Sequence, residues 1–308
     1  MNNLPKVIVI AGPTCSGKTD LAISLAGKIP SEIISADSRQ VYKYLTIGTA
    51  KPTEKELQKV KHHFVDFLNP DENYNVSKFE KDVLKQIGQI IDNKRTPIIV
   101  GGSGLYIRAI VDGIFDVVDT DEKYRMELMN YRKKFGNEFL YEELKKVDPE
   151  SAKNLIPQNW KRIIRALEVY KLAGKPIWKL QQEYKRETNL QFFQYGLNWE
   201  RKILYKNIEL RVDKMIKSGL VDEVKNILKL GYSKDINALN TVGYKEIIEY
   251  LEGKTTLERA IELIKRNTRR YAKRQLTWFR KDKRIKWFDI NKKNDLKKIT
   301  ESIAADIS

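Results

Sequence analysis

Near its start the chain carries eight consecutive residues whose types and spacing suit phosphate binding. Gly12, Pro13, Thr14, Cys15, Ser16, Gly17, Lys18 and Thr19 fit the pattern G-x-x-x-x-G-K-[ST]. The glycines let the backbone curl until its N–H groups converge on phosphate oxygens. A following helix would add the partial positive charge of its N-terminus. Lys18 supplies a point charge, and the Thr19 hydroxyl can ligate Mg²⁺. The loop does not name its phosphate. ATP or GTP is the usual ligand, which would make the chain a kinase or NTPase. Such enzymes place a magnesium-associated aspartate at the end of an apolar strand. Here the apolar run 96–100 ends in Gly101, Gly102, Ser103 and Gly104. The nearest carboxylate that follows a strand-like run is Asp37.

These residues need elements to hold them. Lys6–Ala11 (KVIVIA) is a short apolar run that reads as a buried parallel strand, and 19–28 follows it with apolar residues at helical spacing. Residues 31–36 and 96–100 are further strand candidates, 77–92 is an amphipathic helix, and 190–197 returns to strand character. Strands alternating with helices predict an α/β fold, a P-loop-containing core with a doubly wound parallel sheet. The pattern changes near 112–121 and is then wholly helical to about 185, with candidates at 124–134, 138–147 and 161–173. Gly174 before Lys175 and Pro176 is a helix stop. The expected organisation is a catalytic core of 1–115 and 191–308, its final third helical, interrupted by a helical insertion domain, 116–190.

Composition narrows the function classes. The chain has 308 residues, 41% hydrophobic and 32% charged, which suits a globular protein and argues against disorder. No stretch approaches the roughly 18 apolar residues of a membrane span. The opening MNNLPK runs straight into an apolar strand and leaves no room for a signal peptide. Cys15 is the single cysteine, so no intrachain disulfide or cysteine-based zinc site is expected, and a cytoplasmic location is the default. Residues 201–308 carry 27 Lys/Arg against 15 Asp/Glu, most of the net charge of +17. A polyanionic partner or a lysine-rich codon bias would each give that excess.

The motifs together resemble the bacterial tRNA dimethylallyltransferases, also called tRNA isopentenyltransferases. The matching segments are GPTCSGKT (12–19), SADSRQVY (35–42), IGTAKP (47–52), HHFVD (62–66), GGSGLYIRA (101–109), RIIRALEVY (162–170), RVDKM (211–215), GYKE (243–246) and TRRYAKRQLTWFR (268–280). They occur in the family's order over nearly the whole chain. The resemblance implies that a dimethylallyl group moves from dimethylallyl diphosphate to N6 of the adenosine at tRNA position 37, just 3′ of the anticodon. The P-loop then cradles a prenyl donor's diphosphate with Mg²⁺ as cofactor. A nucleotide or polynucleotide kinase is the alternative. A third reading is a basic RNA-binding protein with a degenerate P-loop.

The resemblance also implies roles. Asp37 would orient the adenine amine and take its proton; a helix cap, or a group one water away from magnesium, is the bland reading. Ser38, Arg39 and Gln40 would help read the base or its neighbours, and family members often differ at Arg39. Ser103 would hydrogen-bond the leaving oxygen, or merely cap a helix. Arg211 would neutralise diphosphate charge with Lys18, or pair on the surface with Glu209 or Asp213. Lys161, Arg162, Ile163, Ile164 and Arg165 would meet the anticodon stem, with Arg125 a lesser candidate. Lys265–Lys286 holds eleven Lys/Arg and one acid, interleaved with aromatics, which suits an RNA loop or simple core packing. His62 and His63 read as structural. A monomer is implied.

Overall fold

The computed structural model describes residues 4–114, 120–184, 186–292 and 294–307. The chain divides into two compact units, Met1–Val111 with Thr188–Ser308, and Asp112–Glu187.

The first unit is built on a six-stranded sheet, β1 (Lys6–Ala11), β2 (Ser31–Ser35), β3 (His62–His63), β4 (Thr96–Gly101), β5 (Gln191–Trp199) and β6 (Lys286–Ile290). The order is β3-β2-β4-β1-β5-β6, and every pairing is parallel. Side chains of a strand alternate between faces, and here both faces are covered. Val7, Val9 and Ala11 enter one hydrophobic cluster, while Ile8 and Ile10 enter the other. That is why β1 and the middle of β4 read as continuous apolar runs. The first face is covered by α3 (Val76–Asp92), α4 (Gly104–Asp112), α10 (Leu220–Lys229) and α11 (Tyr244–Leu251). The second is covered by α1 (Lys18–Ala26), α9 (Arg201–Lys217) and α13 (Asp295–Ile307). The long α12 (Leu257–Phe279) contributes to both, through Ile264 and Phe279 on one side and Ala272 on the other. A four-residue helix, α2 (Glu54–Leu57), lies between β2 and β3.

Parallel strands share one carboxyl edge. The phosphate loop after β1, the turn after β2 and the glycine-rich turn after β4 therefore open on the same side. The strand order reverses around β1, where crevices form in such sheets.

Two strands escape the sequence reading, and the final third is not wholly helical. β6 pairs with β5 from Tyr195↔Lys286 to Trp199↔Ile290. It is an edge strand with two exposed residues, lodged at the end of a basic run, so its apolar signal is weak. β3 is too short to show a period.

The second unit is helical throughout its described residues. It holds α5 (Glu122–Val147), α6 (Pro149–Lys153), a 3₁₀ turn at Pro157–Asn159, α7 (Trp160–Ala173) and α8 (Ile177–Glu183). Gly136, at φ 87° and ψ 178°, breaks α5 where the sequence predicts two helices. Gly174 ends α7 in the left-handed conformation, at φ 66°. Asp121 caps α5 by accepting from Tyr124 N–H at 2.9 Å. The composition shift near 112–121 falls partly on residues 115–119, outside the described residues. Leu128, Leu140, Leu144, Ile163 and Leu167 form this unit's own core.

Candidate active site

The phosphate loop spans the gap from β1 to α1. Cys15 and Gly17 take left-handed φ angles of 63° and 86°, which curl the backbone around a concavity. Ser16 is buried, and its carbonyl accepts from the Trp199 indole at 2.9 Å, which fastens the loop to the end of β5. Lys18 Nζ donates to the Pro13 carbonyl at 2.7 Å. Burial in the packed loop, and secondarily the Arg211 guanidinium, push the Lys18 ammonium down to about 8, against weaker opposing effects from Cys15 and Asp37. Two cations crowded into one loop are what an anion would relieve.

Arg211 projects from α9 into this loop. Its Nη1 donates to Thr14 Oγ1 at 3.2 Å and lies 3.7 Å from Cys15 Sγ. The surface alternative for Arg211 fails, because Glu209 pairs with Arg269 at 2.7 Å and Asp213 with Lys265 at 2.6 Å.

Asp37 follows β2, and its Oδ1 accepts from Arg39 N–H at 2.9 Å. It opens a turn and caps no α-helix. Ser103 Oγ accepts from Ser38 N–H at 3.2 Å, which ties the turn after β4 to the turn bearing Asp37. With that lone pair engaged, the hydroxyl proton can donate outward. Lys18, Arg211, Asp37 and Ser103 thus share one edge of the sheet.

The glycines at the end of β4 make room for the protein itself. A Cβ on Gly101 would stand 2.1 Å from the Ala36 carbonyl oxygen, and one on Gly102 would stand 2.1 Å from Gln275 Nε2.

Arg39 and Gln40 are engaged internally. Arg39 Nη1 donates to the Asn237 carbonyl at 2.6 Å. Gln40 accepts from Ser35 Oγ at 2.9 Å and donates to the carbonyls of Thr49 and Ala50 at 3.2 and 3.1 Å. Their side chains fasten the segment around Asp37.

In the helical unit, Lys161 and Arg162 are exposed on α7. Ile163 and Ile164 lie within the same segment with their side chains buried in the core. Helical periodicity turns both inward. Glu168 is fully buried; Arg125 Nε meets it at 2.8 Å and Arg165 Nη1 at 2.5 Å. Both arginines are therefore anchored by that carboxylate, which sequence reasoning missed.

His62 Nδ1 lies 2.9 Å from the Val60 carbonyl, and His63 Nε2 lies 2.6 Å from Glu32. Among the described residues no group of three or more His, Cys, Asp or Glu could hold a metal. Thr19 remains the one expected protein ligand. Also among the described residues, no helix is long and apolar enough to cross a membrane.

Sequence reasoning also passed over the role of α12. Tyr271, Gln275 and Trp278 recur at helical spacing beside the turn after β4. Burial pushes the Tyr271 phenol up to about 12, with the Asp37 charge adding to the effect.

A model of the IPP transferase family matches residues 40–282. The chain belongs to the IPP transferase family. The tRNA dimethylallyltransferase of Carboxydothermus hydrogenoformans is 49% identical over 303 residues, covering 97% of this chain and 96% of that protein. The crystal structure of a tRNA isopentenylpyrophosphate transferase from Bacillus halodurans matches with a TM-score of 0.72 at 40% identity, over 97% of this chain and 96% of that one. A eukaryotic dimethylallyltransferase acting on tRNA matches with a TM-score of 0.76 at 29% identity, over 92% of this chain and 74% of that one. As an IPP transferase the chain is a prenyltransferase, which favours prenyl transfer over a kinase's chemistry.

Proposed function

We propose that this IPP transferase moves a dimethylallyl group from dimethylallyl diphosphate to N6 of the adenosine at tRNA position 37. The observation that carries the reading is the convergence of Lys18 and Arg211 on one phosphate loop, on the same sheet edge as the Asp37 carboxylate.

The loop amides, Lys18 and Arg211 hold the diphosphate. The N6 lone pair attacks the allylic carbon, a C–N bond forms, and the C–O bond to diphosphate breaks. The bonding electrons leave with the diphosphate, where Lys18, Arg211 and the Ser103 hydroxyl meet the growing negative charge. Asp37 orients the exocyclic amine and receives its proton. The adenine must leave its stack to reach that carboxylate. Thr19 suits Mg²⁺, a hard cation that takes few protein ligands and keeps water and phosphate oxygens. In the same loop the Ser16 hydroxyl, packed against Gly12, is buried and without a hydrogen-bond partner. The ion, when bound, supplies neutralising charge.

On the tRNA side, exposed Lys161 and Arg162 suit phosphates of the anticodon stem, while Arg125 and Arg165 are held by Glu168. Exposed Arg266, Arg270 and Lys273 line one side of α12 and explain part of the basic C-terminal third. The proposed organisation is a catalytic core with a tRNA-gripping helical insertion, acting as a monomer in the cytoplasm.

The donor choice is tested by chemical modification of Lys18 followed by peptide mass analysis. Dimethylallyl diphosphate with Mg²⁺ should protect Lys18 at concentrations where ATP does not. Equal or better protection by ATP would favour phosphoryl transfer.

A further inference from the structure

One buried amide joins the phosphate loop to the turn that carries Ser103. Gln275 is 6% exposed, and both ends of its side chain are engaged. Its Oε1 accepts from Thr14 N–H at 2.8 Å, and its Nε2 donates to the Gly102 carbonyl at 2.9 Å. The chain separation is large, 261 residues in one case and 173 in the other. The contact is therefore a product of the whole fold. α12 meets the turn residue by residue: Gln275 faces Gly102, the Tyr271 phenol lies within reach of the Ser103 side chain, and Trp278 packs on Gly104.

A carboxamide has one accepting and one donating end. Glutamate in its place could accept from Thr14 but could not donate to Gly102. Methionine fills a similar volume and does neither. The bridge continues through Thr14, whose hydroxyl accepts from Arg211 at 3.2 Å. A movement at Gln275 would thus reach the diphosphate cradle, its arginine and the Ser103 turn together. The Thr14 N–H, held by Gln275, is also withdrawn from the amides that face the anion.

We propose that Gln275 is a positioning residue for prenyl transfer, fixing the spacing between the diphosphate cradle and the Ser103 hydroxyl by bridging Thr14 to Gly102. This rests on the prenyl-transfer reading above. The donor still binds when the bridge is lost, because Lys18 and the remaining loop amides persist. Departure of the diphosphate slows, because Ser103 no longer meets it in register. Misplacement of a reacting group by about 1 Å can cost on the order of 100-fold in rate.

The test measures steady-state transfer from dimethylallyl diphosphate to unmodified tRNA. It compares the wild type with Gln275→Met, Gln275→Glu, Ser103→Ala and the double variant Gln275→Met/Ser103→Ala, each with a thermal melt. The expected result is a fall in kcat of about 10- to 100-fold in both Gln275 variants, with the donor KM changed less than about threefold. Ser103→Ala should cost much less in the Gln275→Met background than in the wild type, because the two changes remove one arrangement. A merely structural glutamine would lower the melting temperature and leave kcat alone below it. Unchanged kcat in either folded variant, or losses that simply multiply, would overturn the proposal. So would failure of both variants to fold. If the wild type itself transfers nothing, the prenyl-transfer reading fails instead.

Discussion

Binding of dimethylallyl diphosphate to the free protein should weaken as pH rises through about 8. The cause is Lys18, whose ammonium is held down to about 8 by burial first and Arg211 second. Holding it charged in the empty loop at neutral pH costs about 3 kcal/mol, a strain that an anion offsets. The sign follows from which form binds. The diphosphate needs the ammonium, and a depressed pKa means that the charge is lost at a lower pH than in a free lysine. At pH 7 about nine-tenths of Lys18 is protonated, and at pH 9 about one-tenth. The dissociation constant should therefore rise about tenfold across that interval, about 1.4 kcal/mol. Binding is weakened and not abolished, since Arg211 and the loop amides also hold the diphosphate. The last ionisation of a phosphate ester lies near about 6, so the ligand's own charge is steady over this range. Calorimetry with dimethylallyl diphosphate and Mg²⁺, without tRNA, avoids turnover. Lys18→Arg should flatten the profile, and Lys18→Met at pH 7 should resemble the wild type at pH 9. Cys15→Ser controls for the neighbouring thiol and should keep the slope. A flat wild-type profile, or the same slope in Lys18→Met, would refute the assignment.

Four further outcomes are expected. Asp37→Asn should lower kcat by about 10²- to 10⁴-fold while donor binding, read by calorimetry, stays within about twofold. Arg211→Gln should raise the donor dissociation constant about 10- to 100-fold, the worth of a charge-assisted hydrogen bond of about 1.5–3 kcal/mol. In the helical unit, Glu168→Gln should destabilise by about 3–5 kcal/mol, because it strips a buried partner from Arg125 and Arg165. Lys161→Ala with Arg162→Ala should leave the melting temperature unchanged and reduce both tRNA affinity and its salt dependence, as filter binding across salt would show.

The sequence made the carboxyl edge of the sheet legible because strands buried on both faces print continuous apolar runs. The phosphate loop then stood out between one such run and a helix. β3 and β6 were illegible for the opposite reason, since one has two residues and the other is a partly exposed edge. Arg211 shows a different limit. Its neighbours Glu209 and Asp213 made a surface ion pair equally readable, and only the fold reveals that Arg269 and Lys265 take those acids. Gln275 was hidden in a basic, aromatic run where composition drew the eye to cations. Its signal was its position at i+4 from Tyr271 and three residues before Trp278, a face of α12 that means nothing until the turn after β4 is seen against it. Ile163 and Ile164 show a basic motif carrying core residues, because helical periodicity turns their side chains inward.

The central claim is tested most directly by incubating the purified protein with dimethylallyl diphosphate, Mg²⁺ and an unmodified tRNA that carries adenosine at position 37. The tRNA is then digested to nucleosides for mass analysis. The account predicts N6-isopentenyladenosine, up to one per tRNA, lost when adenosine 37 is replaced by guanosine and lost with Asp37→Asn. Digests containing only unmodified adenosine, from protein that is folded and binds the tRNA, would contradict it.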